Sequence, residues 1–292
     1  MKHLSIIILI AISIALAMLM AFRPAAQEPV SPPSYEHSID AERFLDRARF
    51  MRGLAQAPLQ CPIENPRAAV VNHHALMSDL MARIIMPLGD CLDPKPSIII
   101  ISPDHFGKSA SSVAFHRINY HVDGHQIQID TDAATRLETG LLFAKEQAPI
   151  FENEHGVGAL VPFLASSIPD ARILPLIVKR SITDQELSLF TEYLAHEISR
   201  GTFILVSSDM SHYLGEVQAK QNDRQTIDAF TTSNAEFFAR ADDDYTDNGR
   251  ALAAVIRALG PTSFTFVDRN KISSEIDGAN TFTTTYITGF WE

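Results

Sequence analysis

Residues 97–105, with the sequence SIIIISPDH, decide the fold class of this chain. Four consecutive isoleucines without polar alternation predict a strand that is covered on both faces, as in a mostly parallel sheet. Ser102 and Pro103 end the apolar run, and Asp104 and His105 follow directly. Because sites in open α/β sheets form beyond the carboxyl ends of the strands, the residues after this strand indicate where the chemistry lies.

Other apolar runs resemble this strand and are also predicted strands: residues 68–71 (AAVV), 173–178 (ILPLIV) and 202–206 (TFILV). Helical patterns occupy much of the chain between and after them, at residues 183–201, 218–240 and 248–259. Strands that alternate with helices predict an α/β domain with a central, mostly parallel sheet and helices on both faces.

Two segments predict additions to this sheet. Residues 113–130 alternate polar and apolar side chains around Asp123-Gly124, which predicts a β-hairpin. Residues 281–288 alternate aromatic residues, threonine and isoleucine, and predict a closing strand. We therefore expect one α/β domain over residues 41–292.

The N-terminal segment is predicted to place this domain outside the cytoplasm. Lys2 precedes an uncharged run over residues 5–22, and Arg23-Pro24 follows it. The length of the run lies between a signal-peptide core and a spanning helix. Residues 1–23 are therefore interpreted as an uncleaved anchor, with a cleaved signal peptide as the alternative, and the Pro- and Ser-rich residues 24–40 as a linker. With Lys2 inside, the remainder of the chain is extracytoplasmic.

Cysteine content and charge bound the function further. An oxidising compartment favours a disulfide bond between Cys61 and Cys91, the two cysteines of the chain, and two buried free thiols are the alternative. The formal net charge is -11, and no basic stripe is visible. Since nucleic-acid binding requires clustered Lys and Arg, this balance argues against a nucleic-acid partner.

Histidines follow three of the predicted strands at the same end. His73 and His74 follow the first, His105 follows the isoleucine strand, and His212 comes shortly after residues 202–206. One such histidine alone is usually a structural hydrogen-bonding residue, but three at neighbouring strand ends indicate a site.

Carboxylates accompany these histidines. Glu154-His155 opens a predicted helix, where Glu154 either lines the site or caps the helix. Asp209, three residues before His212, either completes a metal site or orients His212 as a general acid or base near neutral pH. Two histidines plus a carboxylate with open positions are typical of non-haem Fe(II) sites.

Six segments in this order resemble the Memo family, also called the AmmeMemoRadiSam system protein B group, over roughly residues 65–290: VVNHHA, IIIISPDHF, EHGVGALVPFL, ILPLIV, ILVSSDMSH and DNGRALAAVI. The resemblance implies an α/β fold similar to that of class III extradiol dioxygenases. It also implies iron or copper bound by two histidines and one cysteine.

Carried over by position, the resemblance places the metal ligands at His74, His105 and Asn248. It places the catalytic or pocket residues at Glu154, His155, Asp209 and His212. Asn248 departs from the family cysteine, because asparagine offers a neutral carbonyl oxygen where the family has a thiolate. Asp247 is a candidate replacement for that thiolate, or else it caps the following helix. His73 is either an extra ligand or a solvent-facing neighbour.

The leading hypothesis for the function is a metal-dependent, dioxygenase-like oxidoreductase. The alternative is a non-catalytic binding module that recognises an anionic ligand or a protein partner, which the loss of the family cysteine favours. A hydrolase is unsupported, since the sequence lacks the G-x-S-x-G and H-E-x-x-H motifs. Family context suggests radical-SAM and AMMECR-type partners, but an extracytoplasmic location would separate the chain from them.

Overall fold

The computed structural model describes residues 38–273 and 282–292. The predicted anchor or signal peptide over residues 1–23, and the linker as far as residue 37, lie outside these residues. Within the described ranges, no helix has the length and apolar character needed to span a membrane.

The described strands form one sheet around the predicted parallel core. They are β1 Ile39–Asp40, β2 Ala68–Val71, β3 Ser97–Pro103, β4 Val113–Phe115, β5 Tyr120–Val122, β6 His125–Ile129, β7 Ala144–Glu146, β8 Arg172–Val178, β9 Phe203–Ser207, β10 Phe264–Ile272 and β11 Thr285–Trp291. Nine of them follow the order β1-β5-β6-β8-β3-β9-β2-β11-β10, and β4 and β7 lie off this path. Neighbours from β6 to β2 pair in parallel, and β11 and β10 close the sheet in antiparallel pairing.

Strand β3 lies in the middle of this sheet, and its isoleucines serve both faces. Ile99 and Ile101 belong to one buried cluster, and Ile98 and Ile100 belong to a second one. All four side chains are fully buried. Since successive side chains of a strand point to opposite faces, an unbroken apolar run is what a doubly covered strand requires.

The described helices cover both faces, as predicted. They are α1 Arg47–Gln56, α2 Ser78–Ile85, α3 Leu88–Cys91, α4 Thr131–Gly140, α5 Ala148–Phe151, α6 His155–Gly158, α7 Val161–Ser167, α8 Asp184–Ser199, α9 Glu216–Thr231, α10 Ala235–Arg240 and α11 Gly249–Leu259. Residues of α8 and α11 join the cluster of Ile99, and residues of α2 and α7 join that of Ile98. The sheet therefore lies between two helical layers.

Local signals in the sequence fix several helix ends. Thr183 and Glu186 form the capping box that begins α8. The helical stretch predicted over residues 218–240 is instead two helices. Ser233 adopts a φ of 51°, and the side chain of Asn234 then accepts a hydrogen bond that caps α10. This left-handed residue ends α9, because an α-helix cannot continue through it.

The hairpin prediction is correct for part of its range. Strands β5 and β6 pair in antiparallel fashion around Asp123 and Gly124, which both have positive φ. Strand β4 lies apart from this hairpin and pairs with β7 and β8. Strand β1 begins at Ile39, ahead of the predicted domain start, and pairs with β5.

The predicted disulfide bond is present. Cys61 and Cys91 are joined, with a Cα–Cα distance of 5.0 Å and a sequence separation of 30 residues. The bond ties the loop after α1 to the end of α3, and the backbone N–H of Cys61 also donates to Asp90 Oδ2. The loop between α1 and β2, which has little regular structure, is thereby held to the segment that precedes β3.

Candidate metal centre

The site lies at the carboxyl edge of the parallel strands, where β3, β9 and β2 are neighbours. A cavity of about 690 Å³ opens there. Side chains from the segments after all three strands line it, including His73, His105 and His212. Helix α6 adds His155, and the loop before α11 adds Asp247. The sheet thus gathers residues that are far apart in sequence.

Two imidazoles face each other at the floor of the cavity. His73 Nε2 and His105 Nε2 are 3.0 Å apart, with the rings nearly perpendicular. Asp247 Oδ2 lies 3.3 Å from His73 Nε2 and 3.6 Å from His105 Nε2. These three atoms form a small triangle. Asp247 Oδ2 also lies 3.8 Å from His212 Nε2.

Hydrogen bonds behind the imidazoles fix the orientation of both rings and, for His105, the position of the Nδ1 hydrogen. His105 Nδ1–H donates to Glu154 Oε1 at 2.5 Å, because a carboxylate oxygen there can only accept. His73 Nδ1 lies 2.9 Å from Ser207 Oγ. With Nδ1 hydrogen-bonded in this way, Nε2 of each ring is turned toward the cavity. Metal-ligating histidines in proteins are usually oriented by such a second hydrogen bond.

Glu154 is held in turn by the start of α6. Its Oε1 accepts the backbone N–H of Gly156 at 2.9 Å, so it both caps the helix and supports His105. A Cβ at Gly156 would lie 2.1 Å from Ser102 Oγ and 3.1 Å from His105 Cε1. Only glycine therefore permits this close approach of α6 to β3.

Asp247 has one occupied and one open carboxylate oxygen. Oδ1 accepts hydrogen bonds from Ser208 Oγ at 3.0 Å and from the backbone N–H of Asp209 at 3.2 Å. Oδ2 is buried and has no hydrogen-bond partner in the described part of the chain. An unpartnered buried carboxylate oxygen requires an explanation, and it points at the two imidazoles.

Charge and burial shift the pKa values strongly here. Burial alone would lower the pKa of His105, but the nearby carboxylates of Asp247 and Glu154 raise it to about 10. Burial lowers the pKa of His155 to about 3, and the charges of His105 and His73 add to the effect. Burial works against the charged form of Asp247, yet the imidazoles hold its pKa well below the usual range.

The triangle of atoms fits a transition-metal ion. Metal–nitrogen and metal–oxygen bonds of about 2.0–2.2 Å place ligand atoms roughly 3.0–3.4 Å apart. The observed separations are 3.0 Å, 3.3 Å and 3.6 Å. Ligand atoms of His73, His105 and His155 also lie within 4.8 Å of one another. The residues present therefore fit a metal held by two imidazoles, with Asp247 or His155 as the third ligand.

The structure brings six of the seven residues predicted for the site to the cavity or directly behind it, and five of these lie at or around the facing imidazoles. His105, His155, Asp209 and His212 line the cavity, and Glu154 lies directly behind His105. Asp209 supports the centre through the backbone, since its Oδ1 accepts the N–H of His73 at 3.1 Å.

The other two predicted residues are His74 and Asn248. His74 is exposed and lines the same cavity, but its Nδ1 lies 2.7 Å from the hydroxyl of Tyr286. Asn248 is buried and its Nδ2 donates to the backbone carbonyls of Ile101 and Ser207 at 3.1 Å and 2.9 Å. The amide of Asn248 therefore joins β3 to β9.

Their chain neighbours occupy the centre instead. His73 Nε2 faces His105 Nε2, and Asp247 Oδ2 is directed at both imidazoles. The sequence names His73 and Asp247 as alternatives, whereas the family motifs point to the adjacent residue in each pair. Ser207 was missed, because a serine at the end of a strand carries no distinguishing signal.

This geometry defines an α/β protein with a histidine–carboxylate centre at the carboxyl edge of its sheet. A family model described as "Memo-like protein" matches residues 54–260. The chain therefore belongs to the Memo family.

Several proteins are similar to this chain. A MEMO1 family protein of Caldivirga maquilingensis is 24% identical over 61% of this chain and 64% of its own length. A MEMO1 family protein of Pyrobaculum arsenaticum is 28% identical over 45% of this chain and 47% of its own. The chain thus spans about half to two thirds of these curated relatives. The crystal structure of uncharacterized protein JW3007 from Escherichia coli K12 has a TM-score of 0.48 and 12% identity, covering 74% of this chain and 98% of that one.

Proposed function

We propose that this Memo-family protein is a non-haem iron oxidoreductase of the dioxygenase-like type, with the metal held by His73, His105 and Asp247. The observation that carries the proposal is the buried, unpartnered Oδ2 of Asp247, 3.3 Å and 3.6 Å from the two facing Nε2 atoms. Two histidines and one carboxylate with open positions are the ligand set of non-haem Fe(II) oxygenases. Asp247 thus supplies an anionic oxygen in place of the thiolate that the family resemblance implies.

Iron bound here would supply a centre at which dioxygen and an oxidisable substrate can meet. The chain's own residues prepare that centre. Glu154 keeps the hydrogen of His105 on Nδ1 and leaves Nε2 as a lone-pair donor. The hydroxyl of Ser207, 2.9 Å from Nδ1, holds the ring of His73 with Nε2 toward the cavity. His155 and His212 line the remaining cavity wall, where they can hydrogen-bond a substrate. The low pKa of His155 keeps its imidazole neutral in that role.

Copper is the second metal that the donor set allows, because imidazole suits copper as well as iron. The carboxylate decides our preference. Copper(I) is favoured by soft thiolate and thioether ligands, and the position of the family cysteine holds Asn248 in this chain. The hard oxygen of Asp247 favours iron.

The second candidate function is a cleft that binds an anion. The observation in its favour is His105, whose pKa of about 10 makes it an imidazolium at neutral pH when no metal competes. Arg180 also lines the cavity, although Asp243 pairs with it. In this case a carboxylate or phosphate would accept a hydrogen bond from the imidazolium of His105.

Metal content distinguishes the two candidates. The full chain is purified without chelators, loaded anaerobically with Fe(II) or copper, and analysed by elemental mass spectrometry. His73→Ala is compared with His74→Ala, a matched control that removes the neighbouring histidine. We expect near-stoichiometric iron in the wild type and in His74→Ala, and its loss in His73→Ala. A wild type that retains neither metal refutes the proposal and leaves the anion-binding cleft.

We further propose that the domain works outside the cytoplasm. The Cys61–Cys91 disulfide bond supports this location, since such bonds persist in oxidising compartments. The charge pattern around residues 1–23 also supports it. Radical-SAM and AMMECR-type partners would then be out of reach in the cytosol. A C-terminal alkaline phosphatase fusion tests the location, since activity requires export and an inactive, stable fusion refutes it.

A further inference from the structure

A second cavity, of about 380 Å³, lies between helix α9 and strand β10 and shares no lining residue with the first. Helix α9 contributes one face to it, made of residues spaced three and four apart. Strand β10 contributes side chains from its last residues. The lining residues are Lys220, Asp223, Arg224 and Ile227 from the helix, Arg269, Lys271 and Ile272 from β10, and Thr285 from β11.

Four cations gather around this small space. Lys220 and Arg224 are one helical turn apart, and Arg269 and Lys271 are two residues apart on β10. The whole chain carries a net charge of -11, so this concentration of positive charge runs against its composition. Like charges at such separations repel one another, and an anion between them removes the repulsion.

The acidic groups near these cations leave most of the positive charge uncompensated. Glu216 pairs with Lys220 at 2.5 Å along the helix. Within residues 38–273 and 282–292, Arg224, Arg269 and Lys271 form no ion pair. The guanidinium of Arg269 lies over the ring of Phe266 at 5.4 Å, which holds its position without neutralising it.

The carboxyl group in the cavity wall is committed to hydroxyl groups. Asp223 Oδ1 accepts hydrogen bonds from Ser211 Oγ at 2.9 Å and from Thr285 Oγ1 at 2.7 Å. Burial raises the pKa of Asp223, and these two hydrogen bonds oppose the rise only in part. Asp223 therefore joins α9 to β11 and to the segment after β9 through its Oδ1.

We propose that this cavity binds a phosphoryl group, carried either by a soluble phosphate compound or by the headgroup of an anionic lipid. Arginine guanidinium groups match phosphate oxygens in pairs, and lysine adds point charge. The volume of about 380 Å³ accommodates a phosphoryl group with a small substituent. The site is independent of the metal centre, and either can exist without the other.

Calorimetric titration of the full chain with inorganic phosphate and with pyrophosphate tests whether the ligand is a soluble phosphate compound. The variant is Arg224→Gln/Lys271→Gln, which removes two unpaired cations at positions with exposed or half-buried side chains. Its matched control is Lys95→Gln/Arg200→Gln, the same charge change at two exposed positions outside both cavities. Arg180→Gln is the control for phosphate binding in the cavity of the metal centre.

Wild type and both controls should bind pyrophosphate alike, and the cavity variant should bind at least roughly tenfold more weakly, since each charge-assisted hydrogen bond contributes about that factor. Equal weakening in Lys95→Gln/Arg200→Gln indicates general electrostatics and overturns the proposal. Binding that is lost in Arg180→Gln and kept in the cavity variant also overturns it.

Vesicle co-sedimentation tests whether the ligand is the headgroup of an anionic lipid. The full chain is mixed with vesicles of phosphatidylcholine alone or of phosphatidylcholine with phosphatidylglycerol. Extra binding to phosphatidylglycerol that disappears in Arg224→Gln/Lys271→Gln identifies a lipid headgroup. Absence of both soluble and vesicle binding overturns the proposal.

Discussion

Replacement of Asp247 by asparagine should weaken metal binding while leaving the fold intact. The amide oxygen of asparagine can still accept the hydrogen bonds that Asp247 Oδ1 receives from Ser208 Oγ and the Asp209 N–H. The neutral amide then replaces the charged Oδ2 beside the imidazoles. Four-ligand zinc sites bind with about 10–16 kcal/mol, or roughly 3 kcal/mol per ligand, so the loss corresponds to ~10²-fold in Kd.

The neighbouring variant Asn248→Ala should show the opposite pattern. It removes two hydrogen bonds to buried backbone carbonyls, of 3.1 Å to Ile101 and 2.9 Å to Ser207. At about 1 kcal/mol per hydrogen bond, with more for the unsatisfied carbonyls, the free energy of unfolding should fall by roughly 2–4 kcal/mol. Metal affinity, measured on the folded fraction, should stay within a few-fold of the wild type.

Two measurements on the same samples separate these effects. Competition against a metal-binding indicator gives Kd, and thermal unfolding of the metal-free protein gives stability. We expect Asp247→Asn to change mainly Kd and Asn248→Ala to change mainly the unfolding temperature. If Asp247→Asn binds iron as tightly as the wild type, or if Asn248→Ala loses iron while folded, Asp247 is not the third ligand and the reasoning fails.

Three further predictions concern other parts of the molecule. Glu154→Gln should weaken metal binding by roughly 10–100-fold without abolishing it, because it supports His105 from behind; the same indicator assay measures this, and an unchanged Kd contradicts it. The Cys61→Ser/Cys91→Ser variant opens a loop closed across a sequence separation of 30 residues, so its free energy of unfolding should be lower by about 3–4 kcal/mol. Denaturant titration measures this, and equal unfolding midpoints for the variant and the wild type would contradict it. Burial lowers the pKa of His116 to about 3 from 6.5, so the unfolded chain binds the proton more tightly. The stability that neutral His116 gives the fold is therefore fully present above pH 6.5 and is lost as the pH falls toward 3, by up to roughly 4–5 kcal/mol. Between pH 7 and pH 4, the free energy of unfolding should therefore fall less in His116→Gln than in the wild type, and equal falls would contradict this.

The sequence by itself determined the framework of this protein. The isoleucine run of β3 predicts a doubly covered strand, and its four side chains divide between two buried layers. Parallel strands bring their carboxyl ends to one edge, so histidines after β2, β3 and β9 had to lie near one another. The disulfide bond agrees with the cysteine count and the predicted oxidising compartment, and the helix predicted from residue 183 begins with the capping box of α8.

Only the tertiary structure decided which residue of each neighbouring pair enters the centre. Successive side chains at a strand end point in opposite directions, so the choice between His73 and His74 depends on how the chain leaves β2. Contacts with Ser207 and Asp209, more than a hundred residues away, fix that path. In the same way, Asn248 is drawn to the carbonyls of the sheet, which leaves Asp247 facing the imidazoles.

The basic cavity illustrates the same limit. Lys220 and Arg224 lie on one helix, and Arg269 and Lys271 lie on a strand much later in the chain. In the sequence these residues are scattered among acids and form no run of positive charge. They meet because α9 packs beside β10 and β11. This packing joins segments that are far apart in sequence. Composition and spacing reveal which groups are available, whereas their convergence is a property of the folded chain.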